Sequence, residues 1–292
     1  MKISDETKSK ADIEIDIQLL KEWLSKVPHL PKDIDDISLS AFIHGTKSLE
    51  DAKKKIETFC TARSKFPETF GFPLRDPFNN EFIESCKFTK MFYLPKATPE
   101  GYRVIMICGF NAEKFNNHLY NVRLLMMVEL GLVMWPSMSG IIMLIDTKGS
   151  NASIIPKLNI GANMTDDRYY QSAVPIKLKG IIIFNITPIV EFINNAVLKR
   201  IFSKKITDRI QTMAGDEKTL VKYFPLELLP QDYNGGTALS SEELNEQWAK
   251  LLEEKREWFL ETSKLCSDES KRPPDTQDNF GIDGTFKYLT LD

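Results

Sequence analysis

Histidine is scarce in this 292-residue chain, at His29, His44 and His118. None of the three stands at metal-ligand spacing from a partner, so the common zinc patterns are absent. The four cysteines, Cys60, Cys86, Cys108 and Cys266, are scattered with no Cys-x-x-Cys pair. That excludes a dithiol redox motif and suggests a reducing compartment. No Gly-x-Ser-x-Gly elbow, phosphate-binding glycine loop or dinucleotide fingerprint occurs. Long apolar runs are missing too. The densest, residues 124–135, carries Glu129 and is shorter than the roughly 20 residues a spanning helix needs. The first thirty residues have no apolar stretch of signal-peptide length. Finally, a formal net charge of -3 lacks the basic excess that phosphate neutralisation demands, which argues against nucleic acid. These absences argue against an enzyme and a cofactor, and for a cytoplasmic chain.

What is present is a large apolar inventory, 42% of residues, ample for a packed core. Ile13, Ile17, Leu20 and Leu24 recur at helical spacing over residues 11–27, up to Pro28. Asp35 or Asp36 is placed to cap a second helix with Ile37, Leu39, Phe42 and Ile43, stopped at Gly45. Ser48, with Asp51 placed for a capping box, starts a third through Ala52, Ile56, Phe59 and Cys60. Residues 67–90 mix proline and aromatics without a period and read as a linker with short helical turns.

Beyond residue 91 the pattern becomes strand and helix in alternation. Residues 104–108 and 141–145 are apolar runs of strand length, and the segment between them, 119–135, is a helix apolar nearly all round. Residues 154–172 read as one or two helices crossing back, giving β-α-β units and a mainly parallel sheet. A further strand is expected over residues 220–223. From Ser240 a C-terminal helix runs through Trp248, Leu251, Leu252, Trp258 and Phe259. Residues 264–278 are polar and read as flexible, while the last dozen, with Phe280, Ile282, Phe286, Tyr288 and Leu289, are apolar enough to pack back. The expected division is 1–90, 91–239 and 240–292.

The most informative stretch is 174–236. It opens with the strand Leu178–Phe184, closed by Asn185. A helix led by Pro188 follows, with Ile189, Phe192, Ile193, Ala196 and Val197 on one face and Leu198 and Phe202 on the other. Those two outward residues suit either a membrane surface or a neighbouring helix. Lys177, Lys179, Lys199, Arg200, Lys204, Lys205 and Arg209 surround it against only Glu191 and Asp208, and the stretch ends in Leu-Pro-Gln-Asp-Tyr-Asn-Gly-Gly, residues 229–236. By composition alone the apolar residues are core and the lysines a solvated face.

This order of basic-x-basic-Gly, Ile-rich strand ending in Asn, Pro-led helix and Leu-Pro-x-x-Tyr-x-Gly-Gly resembles the CRAL-TRIO family of lipid-binding domains. The strand ending in Asp146 with Gly149 behind it, and the Pro-His-Leu-Pro at 28–31, are similar to that family as well. One departure is local: many relatives carry an arginine-rich Leu-x-Arg-Phe-Leu-Arg where this chain has Leu39, Ser40, Ala41, Phe42, Ile43 and His44. The resemblance implies an α/β fold, an N-terminal helical module followed by a mainly parallel sheet enclosing an apolar cavity. It also implies a Pro-led helix acting as a gate. The lining it implies is Leu124, Leu125, Val128, Ile141, Met143, Ile145, Leu158, Ile176, Leu178, Ile181, Ile183, Phe192, Ile193 and Val197. Met126, Met127 and Met143 would suit a wall that adapts to its ligand, or simple gap filling. The helix through 124–134 offers almost no polar group except Glu129, which favours a largely hydrocarbon ligand.

The resemblance further implies a phosphoinositide-binding cleft at Lys177, Lys179, Lys205 and Arg209. The expected function is carriage of a small hydrophobic molecule or lipid (tocopherol, retinoid, carotenoid or another isoprenoid, or phospholipid) by a monomer docking peripherally on anionic membranes. A phosphoinositide-responsive adaptor without transfer activity is the alternative.

Overall fold

A computed structural model of the protein describes residues 8–157, 173–193, 204–215 and 217–274. Three helices open it: α1 (Lys10–Lys26), α2 (Asp36–Gly45) and α3 (Leu49–Lys65). Each begins at a side-chain cap that accepts a backbone N–H two or three residues into the helix: Ser9 from Asp12, Asp35 from Ser38 and Ser48 from Asp51. Ile13, Ile17, Leu20 and Leu24 are all buried, in a cluster with Leu39, Phe42, Ile43, Ile56 and Cys60. Ile37, expected with them, is instead 57% exposed, because it lies about 200° round α2 from Leu39, which with Phe42 and Ile43 fills the cluster.

The stretch read as a linker is more ordered than its mixed composition suggests. It contains α4 (Pro67–Phe70) and α5 (Asn80–Phe88), and Phe70 and Phe82 enter the main core. The chain then forms β1 (Lys90–Tyr93), β2 (Tyr102–Cys108), α6 (Asn117–Met134), β3 (Gly140–Asp146), a 3-10 turn over Ala152–Lys157, and β4 (Leu178–Phe184). After α7 (Pro188–Ile193) and the single turn α8 (Lys204–Thr207) comes β5 (Ile210–Thr212). The sheet order is β1-β2-β3-β4-β5, with β1 antiparallel and the other pairings parallel.

Residues 220–223 are not a strand. Leu220 belongs to a 3-10 turn over Glu217–Lys222, and the edge position is taken by β5, whose three residues carry too little pattern to be read from sequence. At the C-terminal end α9 (Ser241–Glu254) starts in a reciprocal Ser240–Glu243 capping box and continues, after one turn residue, into α10 (Arg256–Ser263). The polar segment that follows is held through residue 272. The Ser267 and Asp268 N–H groups donate to the Cys60 and His29 carbonyls, while Arg272 reaches Glu57 and Thr61. Charged side chains finding partners on α3 override the composition signal for flexibility. The apolar last dozen lies outside the described residues.

Candidate functional site

Register across the sheet separates its two faces. The rows Tyr93, Ile105, Met143, Ile181, Ile210 and Met91, Ile107, Ile145, Ile183, Thr212 lie on one face; Phe92, Met106, Leu144, Ile182 and Gln211 lie on the other. On the second face Met106, Leu144 and Ile182 are buried. On the first, Met143 and Ile145 of the central strand β3 are only half-buried. A central strand has neighbours on both sides, so this exposure means that the described layer above β3 does not close over it. Around that space Ile181, Ile183 and Val190 form an apolar cluster of their own, with Met143, Ile145, Leu178, Ile186 and Ile210 packed against it. The floor is β3, β4 and β5, and the described part of the cover is α7.

Of the expected lining, Met143, Ile145, Leu178, Ile181 and Ile183 therefore come together. Leu124, Leu125, Val128 and Ile141 are buried in the main core, with Ile176 packed against it. Phe192 departs from its expected inward direction and is 58% exposed. The reason is angular: Val190 turns toward Ile181 and Ile183, and two residues along a helix is about 200°, nearly the opposite side. Leu158, Val197 and the side chain of Ile193 lie outside what the structure describes, as do Ala196, Leu198, Phe202 and the side chain of Ile189. Val190 was missed by the sequence reading; its spacing of four from Ile186 was the available signal.

Glu129 does not serve this space. Its carboxylate accepts from Arg63 Nη2 at 2.8 Å and from Arg75 Nη2 at 2.7 Å, and both arginine side chains are fully buried. Arg63 also donates to the Thr262 carbonyl and stacks on Phe59, its guanidinium carbon 3.4 Å from the ring centroid. The one carboxylate of the central helix thus ties α3 and the α4–α5 loop to α6, with α10 held through Thr262. No charge from it reaches the apolar face.

At the C-terminal edge of the sheet three separated motifs converge. Asp146 accepts from Asn185 Nδ2 and from the Tyr233 hydroxyl, each at 2.8 Å, and from the Lys148 N–H at 2.9 Å. Burial and the neighbouring Cys108 and Asp146 push the Tyr233 phenol well above its ordinary range, so it stays a donor. Asn185 adopts φ 55°, turning the chain from β4 toward α7. Asp146 thus fixes the root of α7 to the floor and to the closing motif.

The opposite edge carries the basic residues. β4 contains a bulge: Leu178 pairs with Ile141 and Gly180 with Ile142, so Lys179 is the extra residue. A bulge re-aims its side chain, and the Lys179 ammonium lies 5.1 Å from the Tyr102 ring centroid. Arg209, one residue before β5, donates to the Leu178 carbonyl. Lys177 and Lys179 are exposed and Arg209 is half-buried, so three of the four expected cations share one edge; the Lys205 side chain lies outside the description. Gly140 makes this edge possible. Its φ is 153°, and a Cβ there would sit 2.5 Å from the Lys177 carbonyl oxygen and 2.7 Å from Lys179 Cγ. Gly140→Ala is expected to cost about 1–3 kcal/mol and to displace the bulge, lowering the chemical denaturation midpoint; an unchanged midpoint would contradict the packing described.

Among the described residues no group of three or more His, Cys, Asp or Glu is placed to hold a metal, and no helix is long and apolar enough to cross a membrane.

A helical N-terminal region leading into an α/β layer, with a mostly parallel five-stranded sheet and an apolar face beneath a Pro-led helix, defines the class. The CRAL/TRIO domain model matches residues 87–235, half of the chain, and a Pinta-like UBA domain model matches residues 9–82. The chain belongs to the CRAL/TRIO family. Among curated proteins it is similar to the alpha-tocopherol transfer protein-like proteins of Mus musculus, 27% identical over 239 residues, and of Homo sapiens, 26% identical over 235 residues. Each match covers 76% of this chain and 65% of the relative, so the chain spans less than two thirds of those proteins' length. Among solved structures the crystal structure of Sfh5 aligns with a TM-score of 0.48 at 12% identity, covering 68% of this chain and 69% of that one.

Proposed function

We propose that the protein binds a hydrophobic, lipid-like molecule against the β3–β5 face and carries it between membranes, docking through the basic edge. The observation that carries this reading is the half-exposure of Met143 and Ile145 on a central strand, in a family of lipid-binding domains. The chemistry is non-covalent. Apolar burial at about 25 cal/mol per Å² supplies the affinity. With Glu129 held by two arginines, the ligand is largely hydrocarbon, with tocopherol, retinoid, isoprenoid and phospholipid as the classes to offer. Movement of α7 about Asn185 opens the space, and Lys177, Lys179, Lys205 and Arg209 hold the protein on a phosphoinositide-bearing surface while it does. The protein acts as a monomer at the cytoplasmic leaflet, with residues 91–239 forming the carrier domain between the 1–90 module and the 240–292 segment.

Ile145→Trp tests the location. An indole over β3 that displaces about 60 Å² of ligand contact removes about 1.5 kcal/mol, roughly a tenfold loss of affinity. Uptake of a fluorescent lipid should fall by that factor while the melting temperature stays within a few degrees. Undiminished uptake would place the ligand elsewhere.

A further inference from the structure

The N-terminal module meets the segment that leads into the basic edge. α2 ends at Gly45, and a Cβ there would lie 1.9 Å from the Pro175 carbonyl oxygen, so the helix end is seated against the segment that leads into Lys177. A crevice at this junction is lined by Gly45, Leu132, Gly140, Pro175, Ile176 and Lys177. His44, in the last turn of α2, is half-buried beside it. We propose that His44 completes the anion-docking edge across the junction and makes binding of a phosphate-bearing lipid headgroup proton-linked. The inference rests on the docking role proposed above and adds a residue of the other module to it.

The charges around His44 support this. Partial burial, then Lys177 and Lys8, hold its imidazole below the usual histidine value, although a helix C-terminus by itself favours the charged ring. Of the two lysines, Lys8 is paired with Asp16, so Lys177 is the positive charge that bears on His44. Of the acidic groups on α2 and on the elements packed against it, Asp16 of α1 pairs with Lys8, Glu22 of α1 with Lys26, Asp36 of α2 with Lys21, Glu50 and Glu57 of α3 with Lys53 and Arg272, and Glu129 of α6 with Arg63 and Arg75; Asp12 and Glu14 of α1 and Asp51 of α3 are the others. From α3, Lys55 donates to the Val174 carbonyl on the far side of Pro175. An arriving phosphate therefore meets Lys177 beside a protonatable His44.

The linkage has a definite sign. The empty site keeps His44 neutral near pH 7, and an anion between His44 and Lys177 raises its proton affinity. Binding then takes up a proton, and affinity rises as pH falls through the histidine range.

The test is co-sedimentation of the full chain with phosphatidylcholine vesicles with or without phosphatidylinositol bisphosphate, from about pH 7.5 to about pH 5.5. One added charge at the surface predicts about a fivefold gain for the wild type over that range. His44→Gln should lose this gain, with a flat or falling profile. His44→Arg should bind at pH 7.5 as the wild type does at pH 5.5, with no further rise. Parallel profiles for wild type and His44→Gln, both binding the anionic vesicles, would overturn the inference and leave the docking reading intact. Failure of wild type and His44→Arg alike to prefer anionic vesicles would overturn both. Binding of soluble inositol phosphate without vesicle binding would overturn it in favour of a free phosphate ligand.

Discussion

A protein carrying Lys177→Ala, Lys179→Ala, Lys205→Ala and Arg209→Ala is expected to bind phosphoinositide vesicles about a thousandfold more weakly than the wild type. Each cation near an anionic surface contributes about 1 kcal/mol, and four together about 4 kcal/mol. The same variant should retain its apolar ligand, since Lys177, Lys179 and Arg209 are not among the residues of the cluster around Ile181, Ile183 and Val190. Arg209 needs a control because it also donates to the Leu178 carbonyl. Arg209→Lys keeps the charge and should preserve vesicle binding. Raising ionic strength should weaken wild-type binding steeply, because exposed charges are screened within about 10 Å at 0.1 M salt. Unchanged vesicle binding by the fourfold variant would remove the basic edge from the account.

The largest expected effect on stability is at Glu129. Glu129→Ala leaves two fully buried guanidiniums facing each other without their shared carboxylate, and Arg75 already has Nε and Nη1 without partners. Removing one member of a buried ionic group costs about 3–5 kcal/mol, a large part of a typical domain's stability. Replacing all three together, as Arg63→Leu, Arg75→Met and Glu129→Leu, should cost far less, because desolvated charges are then absent from both sides of the balance. Denaturant titration of both proteins separates the cases. Equal losses would mean that shape, rather than charge, holds α3, α6 and α10 together.

How far the sequence reveals this molecule depends on where the information lies. α1 is legible because Ile13, Ile17, Leu20 and Leu24 repeat at the helical period up to Pro28, although its Ser9 cap is seen only in the structure. β4 is legible because its isoleucines form an unbroken run next to a proline-led helix. The convergence on Asp146 is different. Asp146, Asn185 and Tyr233 were each noticed in their own motifs, but contacts 39 and 87 residues apart exist only once β3 and β4 pair. The partners of Glu129 are hidden for the same reason, since they come from α3 and the loop before α5, which have no sequence relation to α6. Phe192 was placed on the inward face by helical spacing alone. The rotation of α7 is set by Ile186 and Val190 reaching the sheet, a tertiary preference that a six-residue helix cannot override. β5 was invisible at three residues, and the flexible reading of 264–278 does not hold for residues 264–272, because Arg272 has partners on α3 that composition does not show; residues 275–278 lie outside the described residues.

The central claim is that the space over Met143 and Ile145 holds a hydrophobic molecule. Native mass spectrometry of the protein purified from its own source, followed by organic extraction, tests this most directly. The account predicts one apolar molecule per chain, released unmodified on denaturation and displaced in the Ile145→Trp protein. An empty chain that also refuses tocopherol, retinoid, isoprenoid and phospholipid would contradict it and leave the β3–β5 face as an ordinary, loosely covered core.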